Sequence, residues 1–212
     1  MNTSIKLVIG LGLSASLMAC GGETKADKSA DKASQEVKKE IKLEEKTISI
    51  TPNESKVMWS GSVVGVYTHE GTVDITEGSL TLAGDKITGG NFTADLTTMV
   101  ATDENYTPEE GKSKEKLIGH LSADDFFKVE EFPTATFKVT SHNAEANTLT
   151  GDLTIRGITH EETVEEVSVN LEAGTASGKL TFDRKNYDVA FDHPAQDVVI
   201  TDDVDLTISL KM

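Results

Sequence analysis

Cysteine is nearly absent from this 212-residue chain: Cys20 is the only one. A single thiol forms neither an intrachain disulfide nor a cysteine-based metal site, so the fold must be held by its own core. Aromatic residues are scarce too, at 5% with one tryptophan, against 37% hydrophobic residues in all. That is enough for a modest core but thin for filling the bore of a wide barrel with side chains. Positive charge is the third shortage. Residues 47–212 hold twelve basic and twenty-nine acidic side chains, a net −17. Such a surface is repelled by nucleic-acid phosphates and by anionic lipid, which excludes DNA or RNA as a partner and requires any membrane attachment to come from elsewhere in the chain.

Catalytic signatures are missing as well. There is no Gly-x-Ser-x-Gly elbow, no phosphate-cradling glycine-rich loop and no His-Glu-x-x-His helix, so hydrolase, nucleotide-binding and metallopeptidase chemistry have nothing to rest on. His69, His120, His142, His160 and His193 fall on separate segments without a second histidine at ligand spacing. No metal, no other cofactor and no enzymatic activity are expected. The neighbouring pairs Asp124 with Asp125 and Glu130 with Glu131 suit a solvated acidic surface better than a catalytic dyad, which draws its carboxylates from distinct elements.

The chain opens with a leader. Residues 1–19 carry Lys6, then an apolar stretch from Leu7 to Leu13 and small residues up to Ala19, which is the pattern of a signal peptide and too short for a membrane span. It ends Leu17-Met18-Ala19-Cys20, which resembles the bacterial lipobox, so Cys20 is the expected lipidation site and the route to a membrane. Acyl chains would hold an acidic domain at a bilayer that its own surface does not favour. Gly21 follows, where aspartate would retain an enterobacterial lipoprotein at the inner membrane, and this points to the outer membrane, facing the periplasm. From Cys20 to residue 46 the composition is lysine, acid, alanine and serine, which cannot bury enough surface to offset chain entropy and reads as a disordered tether.

From residue 47 onward the pattern becomes short alternating runs rich in Thr, Val, Ile and Phe, bounded by Gly, Asn and Asp, the signature of strands. They are expected at 56–67, 71–76, 79–82, 86–96, 134–140, 148–156, 163–171, 176–182 and 203–211. Leu149, Leu153 and Ile155 share one face, as do Val204, Leu206, Ile208 and Leu210. Closely spaced strands without intervening helices predict an all-β, antiparallel, up-and-down sheet, best closed as a barrel of about eight strands, with a packed sandwich as the alternative. Residues 97–131 interrupt it with room for one short helix.

Specific motifs sit in that interruption and just after it. Gly119-His120-Leu121-Ser122-Ala123-Asp124-Asp125-Phe126-Phe127, then Glu131-Phe132-Pro133-Thr134-Ala135-Thr136-Phe137, then Gly151-Asp152-Leu153-Thr154-Ile155-Arg156-Gly157 occur in order, and the run resembles the YceI-like family across residues 47–212. The resemblance implies a lipocalin-like barrel of eight antiparallel strands with a helical insertion, secreted to the periplasm, whose interior holds an isoprenoid or related long-chain amphiphile. One stretch departs from it: Arg184-Lys185-Asn186-Tyr187-Asp188-Val189 stands where many relatives have an aromatic followed by Gly or Asn.

The candidate ligand-binding residues are Trp59, Phe92, Phe126, Phe127, Phe132, Phe137, Leu153 and Phe182, which either line an apolar channel or fill a core. His120 lies four residues before Asp124, a spacing that would put both on one helical face to anchor a polar head group. The expected function is an envelope lipoprotein carrying a long-chain isoprenoid or fatty lipid, with a second copy of the chain as a further partner in a homodimer. The alternative is a structural or stress-related envelope protein with a filled barrel that acts through its acidic surface.

Overall fold

The computed structural model describes residues 43–107, 112–191 and 199–212. The leader, Cys20 and the tether up to residue 42 lie outside the described residues. Nine strands follow in order: β1 (Glu45–Ser49), β2 (Lys56–Val63), β3 (Tyr67–Ala83), β4 (Lys86–Ala101), β5 (Thr134–Asn143), β6 (Thr148–Ile155), β7 (Ile158–Asn170), β8 (Thr175–Asp183) and β9 (Asp203–Lys211). One helix, α1 (Lys114–Leu121), interrupts them after β4.

Every pairing is antiparallel, in the spatial order β1-β3-β2-β9-β8-β7-β6-β5-β4, and β4 returns to β3. The eight strands β2 to β9 therefore close on themselves, which removes the exposed sheet edges an open sheet would present. Strand alternation decides what faces inward. In β6 Leu149, Gly151, Leu153 and Ile155 are buried, and in β8 Ala176, Gly178, Leu180 and Phe182 are, each alternating with more exposed residues.

The expected strand 56–67 ends at Val63, because residues 64–66 form a turn before β3 starts at Tyr67, and β4 and β7 run longer than expected, to Ala101 and from Ile158. Two further details differ in kind. Residues 71–76 and 79–82 are not separate strands but parts of the 17-residue β3, which absorbs Thr76 through a register shift between Ile75 and Glu77. A bulge takes one extra residue without breaking a strand, and here it puts Gly78, Leu80 and Leu82 back on the inner face. The second difference is β1, which begins at Glu45 inside the expected tether and pairs with the far end of β3, from Glu45 opposite Ala83 to Ser49 opposite Ser79. Its charged start resembles the tether; only Ile48 and Ile50 give it something to bury, and Ile50 is 6% exposed.

Up-and-down connectivity sorts the connections onto two ends. The hairpin end carries the short β3–β4, β5–β6 and β7–β8 turns. The helix end carries the β2–β3 turn, the α1 insertion, the β6–β7 turn and the β8–β9 connection. There Arg156 (φ 51°) and Gly157 (φ 75°) form a two-residue turn with both residues left-handed, the geometry that matches strand twist in tight hairpins. Ser113 starts α1 by accepting a hydrogen bond from the Lys116 N–H. The helix then sets Ile118 and Leu121 against Val73, Leu96, Met99 and Val129, so it covers that end of the barrel wall.

Candidate functional site

Inside the barrel is a cavity of about 550 Å³. Its wall reaches from Val63, Tyr67 and Ile200 at the helix end to Leu149, Ala176 and Leu210 toward the hairpin end, so it follows the barrel axis. Aliphatic and aromatic side chains make up most of it, and the size falls within the roughly 300–1,000 Å³ usual for small-molecule sites. The barrel is therefore not filled by its own side chains.

Three inward glycines help keep the bore open. Gly71 lies opposite Trp59 and Gly78 opposite Phe92 across their strand pairs. A Cβ on Gly71 would stand 2.3 Å from the Trp59 ring, one on Gly78 2.6 Å from the Phe92 ring, and one on Gly151 2.4 Å from the Phe137 ring. Each aromatic ring packs closely against a glycine on the neighbouring strand. Such close approach is open only to a residue without a Cβ.

Trp59, Phe92, His120, Phe126, Phe127, Phe137, Leu153 and Phe182 all border this one cavity. Phe132 does not. It precedes β5, outside the strand alternation that turns Ala135 and Phe137 inward; its ring rests against the Gly157 turn and under the Lys128 ammonium, 6.0 Å from the ring centre. The pairing of His120 with Asp124 on one helical face is also corrected. The helix stops at Leu121 with Ser122 as its C-cap, so Asp124 falls in the following turn, and the His120 ring meets Phe126 and Phe191 edge-on at 4.9 and 4.4 Å.

Polar groups concentrate at the helix end. Arg184, 2% exposed, borders the cavity but is fully engaged. Its Nε donates to the Thr201 carbonyl, its Nη1 to those of Val189 and Phe191, and its Nη2 to Asp202 Oδ1, at 2.6 to 3.3 Å. These bonds tie residues 189–191 to residues 201–202 at the cavity wall, and the chain accommodates its departure from the family pattern with a 3-10 turn at Arg184–Tyr187 that leads into left-handed Asp188. Tyr187 and Val189 are then completely buried. Burial and the bond it donates to Glu162 push the Tyr187 hydroxyl pKa up. Arg156 fastens the same rim by donating from Nη1 to the carbonyls of Phe126 and Asp188, both at 2.5 Å.

A second polar cluster sits on the other side of the bore. His69, on the cavity wall, places Nδ1 3.2 Å from Asp103 Oδ1, and the Tyr106 hydroxyl donates to Asp103 Oδ2 at 2.8 Å. Burial would raise the Asp103 pKa, but the N–H groups of Glu70 and Asn105, the Tyr106 hydroxyl and His69 outweigh it and hold the carboxyl at about 2. An ionised carboxylate only accepts, so the His69 Nδ1 carries the proton toward it. One orphan stands near this cluster. Trp59 Nε1 is the single buried side-chain nitrogen or oxygen without a hydrogen-bond partner among the described residues.

Sequence reasoning missed Arg184, Phe191 and the His69–Asp103–Tyr106 cluster. Most of their partners lie on segments distant in the chain, Val189 and Phe191 for Arg184 and Asp103 for Tyr106 being the near ones, and no local motif announces them. Among the described residues no three histidine, cysteine, aspartate or glutamate side chains come together as a metal site.

Comparison with known proteins places the chain. The YceI-like domain family matches residues 49–212. The chain belongs to that family. A UPF0312 protein of Staphylococcus aureus (strain N315) is 34% identical over 105 residues, which make up 46% of this chain and 60% of that protein. The alignment thus spans about three fifths of the curated relative. Among solved structures, BcnA of Burkholderia cenocepacia superposes with a TM-score of 0.57 at 20% identity, covering 74% of this chain and 95% of that one. A polyisoprenoid binding domain from Saccharophagus degradans gives 0.46 at 14% identity, covering 80% and 97%. At 20% identity the likeness to BcnA is one of fold.

Proposed function

We propose that this YceI-like chain is a non-enzymatic envelope lipoprotein that binds a long-chain isoprenoid or similar amphiphilic lipid inside the barrel. The observation that carries the reading is the apolar cavity of about 550 Å³ along the barrel axis. An extended hydrocarbon chain suits it in both shape and chemistry, because apolar surface removed from water contributes about 25 cal/mol per Å² and the wall offers few hydrogen bonds to reward a polar guest. Family membership supports a lipid in general. The one cavity-wall arginine among the described residues is tied up by four acceptors, and the cavity itself speaks against a filled barrel acting only through its surface.

Anchoring rests on Leu17 to Cys20. Acylation there, followed by Gly21, supports attachment to the outer membrane with the domain on the periplasmic side. Native mass spectrometry of the protein made in a host rich in polyprenyl lipids, followed by solvent extraction, tests the ligand: a bound long-chain lipid is expected. A barrel that is always empty, and that gains no thermal stability from added polyprenyl lipid, would overturn the reading. The anchor is tested by Cys20→Ser, which should move the protein from the membrane fraction to the soluble one.

A further inference from the structure

In a chain with 26% charged residues, the longest uncharged stretch among the described residues is thirteen residues long: Val57 to His69 lack any Asp, Glu, Lys or Arg. It builds β2 and the start of β3, and its tip is the β2–β3 turn at the helix end. There Val64 is 58% exposed and Val66 65%, and Val199 joins them at 57%. The grouping is built into the backbone, because the Val64 N–H donates to the Val199 carbonyl at 2.8 Å and Val63 bridges to Ile200. Residues on either side of the bare valines, Val63 and Tyr67, already line the cavity. The exposed apolar tip is thus continuous with the cavity wall at its mouth. Tyr67 and Tyr106 flank it around His69, with ring centres 4.7 and 5.3 Å from the imidazole, the kind of amphipathic rings that settle at the level of lipid head groups.

We infer that this tip is a bilayer-docking surface, through which the barrel exchanges its lipid with a membrane of zwitterionic phospholipid; the inference rests on the lipid-binding reading above. Val64 and Val66 on the β2–β3 turn, with Val199 beside them, enter the head-group boundary, while the acidic flank, with Glu70 next in sequence after the uncharged run, disfavours an anionic surface. The chain before the barrel is long enough for this. β1 enters at the hairpin end, opposite the tip, and Glu45 stands twenty-five residues after Cys20. At 3.3–3.6 Å per residue that chain can reach about 85 Å, whereas the 17-residue β3 spans about 55 Å from end to end. A barrel anchored at Cys20 can turn its mouth back onto the same membrane.

The experiment uses the full chain carrying Cys20→Ser, so that no acyl group contributes, and compares it with the same chain carrying Val64→Asp and Val66→Asp. Flotation with phosphatidylcholine vesicles is read first. The parent should float, weakly affected by salt and less well on phosphatidylglycerol, and the double variant should stay at the bottom. Transfer of a fluorescent polyprenyl probe out of phosphatidylcholine vesicles is read second, with at least a tenfold slower rate expected for the variant. Binding of dispersed farnesol should be equal in both, which shows the barrel intact. Equal flotation and equal transfer by the two proteins would overturn the docking surface. So would a concentration-dependent dimer, lost in the variant, in a parent that never floats, since the tip would then pair two copies. A parent that floats but takes up neither probe nor farnesol would overturn the lipid-binding reading and the exchange role with it.

Discussion

Asp103 shows how one buried carboxylate can report on the helix end of the barrel. Its side chain is 6% exposed, and four hydrogen-bond donors hold its pKa at about 2 in place of the ordinary 3.8. That depression is worth about 2 kcal/mol of folding stability. It is fully present above the unfolded value and is lost as the pH falls from about 4 through about 2. Asp103→Asn should therefore cost about 2 kcal/mol at pH 7 and flatten the stability profile between pH 4 and 2, measured by urea denaturation across that range. His142 works in a higher window. Its Nδ1 accepts the Ile87 N–H at 3.0 Å, which needs the neutral ring, and burial followed by the Lys86 charge pushes its pKa below 6.5. Stability from this bond is present above pH 6.5 and declines as the pH falls through the lowered value; His142→Gln should remove that decline. Gly151 is a third test. Gly151→Ala must displace the Phe137 ring or the Lys138 carbonyl, 2.4 and 2.6 Å from the new Cβ, and should cost about 1–3 kcal/mol as overpacking does, while crowding the lumen and weakening lipid binding in a titration.

At the scale of elements, β1 marks where the barrel begins, inside the segment expected to be tether. A chain beginning at residue 43 should melt with the chain beginning at residue 21, because the segment removed has no apolar face to bury. A chain beginning at residue 52 loses Ile48, Ile50 and the whole β1–β3 ladder. Full burial of one isoleucine alone is worth about 1.5–3 kcal/mol, so its melting temperature should fall by several degrees, read by circular dichroism. The strand was hidden in the sequence because Glu44, Glu45 and Lys46 continue the composition of the preceding residues and its register comes from β3, more than thirty residues away. β6 and β9 were legible because alternation is local: Leu149, Leu153 and Ile155 announce an inner face without reference to any partner. The bulge in β3 was not, since Glu77-Gly78 looks like a turn until β4 pairs across it. Phe132 failed for a related reason. Its motif groups it with Phe126, Phe127 and Phe137 in sequence, yet strand alternation begins only at Thr134, and the chain before it answers to the rim.

For the whole molecule, the single tryptophan provides a direct view of the bore. Trp59 borders the cavity, and its Nε1 lacks a partner, so a lipid entering the bore changes the surroundings of the only indole in the protein. A polyprenyl lipid added to the delipidated chain should shift or quench the tryptophan emission in a saturable way, and Trp59→Phe should abolish the signal. The same occupancy must appear as stability. A ligand that binds only the folded state adds about 2.7 kcal/mol at one hundred times its dissociation constant, which for a chain of this size raises the melting temperature by roughly 5–10 °C. Phe137→Asp separates binding from folding. A carboxylate facing an apolar tail carries a desolvation cost of several kcal/mol unless its pKa rises to neutralise it, but in the empty barrel it can meet water inside the cavity. The variant should therefore keep its β circular dichroism spectrum and lose both the emission change and the thermal shift. A variant that unfolds instead would mean that Phe137 belongs to the packed core and that the lipid, if bound, lies elsewhere along the wall.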